Sequence, residues 1–163
     1  ILNQKESFVF KGRNRRPPKD AVNAMLSFVY TLISNDVTAA LETVGLDPYV
    51  GFMHALRPGR PSLALDIMEE LRAYLGDRLV LSLINRKQIT GNQFLQQGDE
   101  SIIMTDDARR TIISAWQARK KEQIQHPFLN EKVSIGLLPH IQAMMLARYL
   151  RNDLDDYPVF LIQ

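Results

Sequence analysis

With 163 residues, 45% of them hydrophobic and 23% charged, the chain has the make-up of a soluble globular protein and the length to bury a core of its own. No apolar run approaches the roughly 20 residues of a bilayer-spanning helix, so no membrane partner is expected. A net charge of +2 says little about partners, and the absence of cysteine excludes disulfides and thiolate metal sites, which fits a cytoplasmic setting.

The chain begins "ILNQKESFVF", without an initiator methionine or signal pattern, and reads as the later part of a larger protein. "KGRNRRPPK" follows as a loop in which Lys11, Arg13, Arg15, Arg16 and Lys19 concentrate positive charge on a segment stiffened by Pro17 and Pro18. Asp20 caps a helix whose apolar Met25, Phe28, Val29, Leu32 and Ile33 recur at helical spacing. Gly45 ends that helix and opens a long connection rich in glycine and proline. Ser62 is expected to cap a helix over 63–75, with helix resuming after Gly76. Phe94, Leu95 and residues 102–104 flank "QQGDES", which predicts one small hairpin. Thr105 caps a helix with acids first and bases last, in the order that complements its dipole, and Pro127 breaks it. A last helix spans about 133–151, with Ile141, Met144, Met145 and Tyr149 at core-like spacing. The predicted fold class is all-α, a mainly helical bundle with one small β-hairpin, and 1–163 is read as a single domain.

The residues with most chemistry lie in "HALRPGRPSLALDIMEE". Asp66, Glu69 and Glu70 stand three and four apart on one helix, off the apolar arc of Ile67, Leu71, Tyr74 and Leu75. Taken alone this is a solvated face with Glu69 paired to Arg72. A compact loop through Pro58, Gly59 and Pro61, however, returns the chain from His54 to that helix. One imidazole with carboxylate oxygens suits Mg²⁺ or Mn²⁺, an ion able to polarise a phosphodiester and activate a hydroxyl. Arg57 and Arg60 in the connecting loop carry guanidinium forks suited to phosphate oxygens. The 11–19 loop has the local charge of a phosphate-backbone contact, although as a pattern it also describes a solvated linker.

The segments "GRNRRPPKDAVNAMLSFVYTLI", "GLDPYVGFMHALRPGRPSLALDIMEELR" and "DRLVLSLINR" resemble the C-terminal helical, catalytic domain of the CRISPR-associated spacer integrases (Cas one), in wording most similar to the type I-C form. The similarity runs in order from about Phe8 to Phe160. It implies a Mg²⁺- or Mn²⁺-dependent DNA endonuclease and integrase that joins prespacer 3′-hydroxyls to the CRISPR repeat by transesterification. Family metal ligands fall on His54, Asp66 and Glu69; which of the two acids ligates directly is left open, with Asp66 ranked ahead of Glu69. Asn23 matches an asparagine with a positioning role. The family's glutamate ligand lies upstream of the proline pair, and Glu6, the only acid before Asp20, does not match it. The resemblance therefore implies a fragment lacking the N-terminal β domain, weakly active or inactive alone. It also implies DNA, a second adaptation protein (Cas two) and, at full length, a homodimer as partners. The competing reading is a non-catalytic nucleic-acid-binding or assembly domain, in which the basic loop acts and His54 does not.

Overall fold

The computed structural model describes residues 1–14, 17–55, 57–98 and 100–161. They fall into two compact units, Ile1–Thr31 with Leu75–Ala118, and Leu32–Tyr74 with Arg119–Gln163. Helix α1 (Ala21–Thr43) gives its first turns to one unit and its last to the other. Asp20 caps it as expected, its Oδ1 accepting the Asn23 backbone N–H at 2.8 Å. Gly45 ends it in the left-handed region, φ +80°, where the N–H of Leu46 reaches the carbonyl of Leu41 and that of Gly45 the carbonyl of Glu42. This is a Schellman closure, and it satisfies carbonyls that a helix end leaves bare.

Helix α1 is 23 residues long and, by length and composition, apolar enough to cross a bilayer, which corrects the expectation that no such run exists. Its Met25, Val29, Ile33, Val37 and Leu41 are instead fully buried in protein, at the three-to-four spacing of a core helix. Phe28 and Leu32, which share that helical spacing, are half-buried.

In the first unit a π-helical turn, Arg72–Asp77, feeds α3 (Arg78–Asn85) from its Leu75 end onward. The break expected at Gly76 does not occur. The turn widens by one residue, and the glycine sits buried within it. Leu79, Val80, Leu83 and Ile84 of α3 are buried, as are Phe8 and Trp116. The predicted hairpin forms from β1 (Phe94–Gln96) and β2 (Ile102–Met104), with Leu95 opposite Ile103. Helix α4 (Asp106–Lys121) opens on Thr105, whose Oγ1 takes the Ala108 N–H at 3.3 Å.

The second unit contains α2 (Ser62–Leu71), and here the reading of Ser62 as a cap fails. Pro61 occupies the cap position, and Ser62, already helical and buried, turns its hydroxyl back to the Ala55 carbonyl at 3.2 Å. A second antiparallel hairpin, β3 (Gln123–Gln125) and β4 (Lys132–Ser134), corrects the count of one. Helix α4 thus stops at Lys121, ahead of Pro127, because the chain turns directly into β3. At the tip of this hairpin His126 is buried, and its Nδ1 accepts the N–H groups of Phe128 and Leu129. Burial pushes this imidazole below its ordinary pKa, against the pull of Gln142. The last helix, α5 (Leu138–Leu150), begins later than expected, after β4 and one 3₁₀ turn. Leu138, Ile141 and Met145 are buried, whereas Met144 and Tyr149 lie exposed.

Candidate active site

The connection between α1 and α2 is held to α2 at successive points. The carbonyl of Pro48 accepts the N–H groups of Leu63 and Ala64 at the start of the helix, where no earlier helical carbonyl is available to them. Three residues further on, Gly51 passes so close that a Cβ there would lie 2.7 Å from Ser62 and 2.8 Å from Asp66 Oδ2. Only a residue without a side chain fits that crossing.

Beyond Gly51 the backbone wraps the Asp66 carboxylate. Oδ2 accepts the N–H groups of Phe52 at 2.7 Å and Met53 at 3.0 Å, and Oδ1 accepts the N–H of His54 at 3.0 Å. The Nδ1 of His54 meets the same Oδ1 at 2.5 Å. Asp66 is fully buried, so this is no solvated face. Burial alone would raise its pKa, but the imidazole and the three backbone N–H groups outweigh it and hold the carboxyl below its ordinary value. An ionised Asp66 fixes the Nδ1–H tautomer of His54, which leaves the Nε2 lone pair on the far edge of a side chain that is 25% exposed. Among the described residues nothing bonds that nitrogen.

Asp66 therefore orients His54, as a carboxylate does behind a metal-bound imidazole, and both its oxygens are fully engaged with the protein. Glu69 forms a two-pronged pair with Arg72, at 3.0 and 2.9 Å, and keeps partial exposure. Of the two acids, only Glu69 keeps solvent exposure. The donor chemistry, imidazole nitrogen plus carboxylate oxygen, fits a divalent cation such as Mg²⁺ or Mn²⁺. Among the described residues, however, no group of three or more His, Asp or Glu side chains converges on one point. Arg57 is exposed and Arg60 half-buried, and neither forms an ion pair among the described residues.

Glu70, to which the sequence pattern assigns no role, sits in a half-buried knot of the second unit. Its carboxylate accepts the Tyr157 hydroxyl at 2.8 Å, the Gln142 amide at 2.9 Å and the Phe160 backbone N–H at 3.0 Å. Burial pushes its pKa up, and burial together with the Glu70 charge raises that of Tyr157.

The basic loop belongs to the first unit. Arg15 and Arg16 lie outside the described residues. Arg13 is engaged within the protein. Its guanidinium bonds the Asn14 carbonyl at 2.7 Å, Asn23 Oδ1 at 2.6 Å and Ser27 Oγ at 3.1 Å, and lies over the Tyr30 ring. Lys19 is exposed and pairs loosely with Glu100 at 3.7 Å. What Asn23 positions is this loop. Fully buried, it accepts from Arg13 and the Asn14 N–H and donates to the Gly12 carbonyl and Asp20. Asn23→Ala removes all four bonds and should lower stability by about 2–4 kcal/mol. In limited trypsin digestion it should expose the basic residues of 11–19 to faster cleavage than in the wild type.

A family model described as CRISPR associated protein Cas1 matches residues 1–118. A CRISPR-associated endonuclease Cas1 from Chlorobaculum tepidum is 60% identical over 154 residues, covering 94% of this chain and 45% of the relative. The chain thus spans about half the length of that relative. A solved CAS1 protein from Thermotoga maritima superposes with a TM-score of 0.81 at 30% identity, covering 90% of this chain and 44% of the other. A chain of a solved Cas6-RT-Cas1–Cas2 complex does so at 0.82 and 27% identity, covering 97% of this chain and 17% of its own. The sequence match extends through the loop that wraps Asp66, and the helical frame that carries it is shared with the solved structures. The chain belongs to the Cas1 family.

Proposed function

We propose that this chain carries part of the active site of a metal-dependent DNA integrase, which joins a 3′-hydroxyl of incoming DNA to a phosphodiester of the CRISPR repeat. The observation that carries the reading is the His54–Asp66 pair, held rigid on a loop whose two arginines form no ion pair among the described residues, in a chain of the Cas1 family. Asp66 keeps the proton on Nδ1 and turns the Nε2 lone pair outward. His54 Nε2 and Glu69, the latter shared with or released by Arg72, would hold a Mg²⁺ or Mn²⁺ ion together with oxygen ligands that the described residues do not gather. When bound, such an ion supplies polarisation of the P–O bond and a lowered pKa for the attacking hydroxyl. Arg57 and Arg60 hold the flanking phosphates as bidentate forks, and Lys19 adds an unspecific contact to the backbone. DNA is the substrate, a Cas2 protein is the expected partner by analogy with the Cas1–Cas2 complex, and at full length the protein is expected to pair with a second copy of itself.

The test offers branched duplex DNA with Mn²⁺ to these 163 residues and to a longer protein containing them, each beside its His54→Ala variant and an EDTA control. Cleavage or joining should appear in the longer protein, vanish in the variant and in EDTA, and be weak or absent from the 163 residues alone. Tight DNA binding without metal-dependent chemistry in any sample would overturn the catalytic reading and leave a nucleic-acid-binding domain. Full activity from the 163 residues alone, abolished by His54→Ala, would show that the missing oxygen ligands are not needed.

A further inference from the structure

Residues 157–160 return to the helix that carries the acids of the site. Phe160 is buried, whereas its neighbours Val159 and Leu161 are exposed, so the segment is an extended strap pinned by one inward ring. That ring lies 5.9 Å from the Tyr74 ring and 5.7 Å from the His126 imidazole. The Tyr157 hydroxyl and the Phe160 N–H donate to Glu70, and the Pro158 carbonyl accepts from the Gln142 amide at 3.1 Å. Gln142 is itself fully buried in α5, and its Oε1 faces His126 Nε2 at 3.3 Å. A polar network drawn from α2, α5, the hairpin tip and the strap holds one geometry, because any member left unpaired in it is costly.

The strap grips α2 at a particular place. Glu70 and Tyr74, four apart, share one side of the chain, and Glu69 and Arg72, three apart, share another. The grip thus falls where α2 passes into the π-helical turn, beside the Glu69–Arg72 pair. A π-turn departs from α-helical winding, so side-chain anchors at this passage decide which way the next residues face. With Glu70 drawn to the strap, Glu69 stands about 100° around the helix and keeps its partial exposure. We propose that Tyr157 and Phe160 are positioning residues for cation binding: by fixing Glu70 and Tyr74 they hold the last turn of α2 in the rotation that presents the Glu69 carboxylate to a divalent ion. This rests on the reading of His54 and Glu69 as holders of that ion. It adds a support, remote in sequence, for the acid that the loop around Asp66 does not touch.

Electron paramagnetic resonance of free Mn²⁺ measures the affinity of the ion for the longer protein containing these residues, without any turnover. Tyr157→Phe, which removes one hydroxyl, should weaken Mn²⁺ binding about threefold. Phe160→Ala should weaken it about tenfold. Val159→Ala, on the exposed side of the same strap, should leave it unchanged. Because the strap acts through Glu69, adding either strap substitution to Glu69→Ala should cost no further affinity. Binding of a paired DNA duplex in EDTA within about twofold of wild type confirms that each variant is folded, since that contact runs on phosphate charge. Should Phe160→Ala fail this check, Tyr157→Phe carries the test. Wild-type Mn²⁺ affinity in the folded strap variants, or an undiminished further loss on the Glu69→Ala background, would overturn the positioning role and leave the cation reading intact. Wild-type affinity in both Glu69→Ala and His54→Ala would overturn the cation reading, and the proposal with it.

Discussion

Asp66→Asn should lower stability by about 2–4 kcal/mol, although it changes neither volume nor shape. The substitution leaves one oxygen to serve three backbone N–H groups and an imidazole, and aims an amide donor at them. Stability of a whole domain is about 5–15 kcal/mol, so the loss is a large share of it, readable as a shift of the urea midpoint. The pH dependence gives a second reading. Because the folded pKa of Asp66 lies below its ordinary value, its contribution is fully present above that ordinary value and disappears as pH falls through the folded one. The gap between wild type and Asp66→Asn should therefore narrow on acidification. A gap that held constant into strong acid would mean that the carboxylate charge is not what organises the loop. His54→Ala provides the contrast, since it removes one partner at the partly exposed edge and leaves three N–H donors in place, costing about 1 kcal/mol.

Gly51→Ala should divide the two properties differently. The new Cβ meets a backbone atom of Ser62 at 2.7 Å, and α2 cannot yield there, so the loop must lift. Overpacking of this kind costs about 1–3 kcal/mol. The larger effect is on turnover in the longer protein. The loop that lifts carries His54, and a displacement near 1 Å at a reacting centre costs about a hundredfold in rate. Equal turnover in Gly51→Ala and wild type would show that the loop need not lie against α2 for His54 to act.

The sequence supports the helical frame and the neighbourhood of His54 and Asp66 well, because both depend on local rules: caps at Asp20 and Thr105, the glycine closure at Gly45, and a short connection that folds back. The roles inside that neighbourhood are less legible. Spacing makes Asp66 and Glu69 equivalent neighbours on one helix, and only the backbone of another segment distinguishes them by burying the first in a cage. The signal available was Gly51, a glycine just ahead of the histidine, whose meaning depends on what lies opposite. Arg13 reads as a phosphate contact by composition, whereas its hydrogen bonds to Asn14, Asn23 and Ser27 are set by tertiary approach. The hairpin of β3 and β4 escapes for a different reason. Three-residue strands with the polar ends Gln123, Gln125, Lys132 and Ser134 offer too little alternation to stand out from a helix end.

Glu70 sets an order of events in the making of the molecule. One of its partners, the Phe160 N–H, lies 90 residues further along the chain, and the Tyr157 hydroxyl lies 87. On a ribosome, which releases roughly 5–20 residues each second, the helix bearing Asp66 emerges several seconds before the groups that tie down its next turn. Until they arrive, a charged carboxylate destined for burial stays in water, and the closing of so long a loop is among the slower steps available to the fold. The helix that carries Asp66 and Glu69 is thus made well before the groups that secure it.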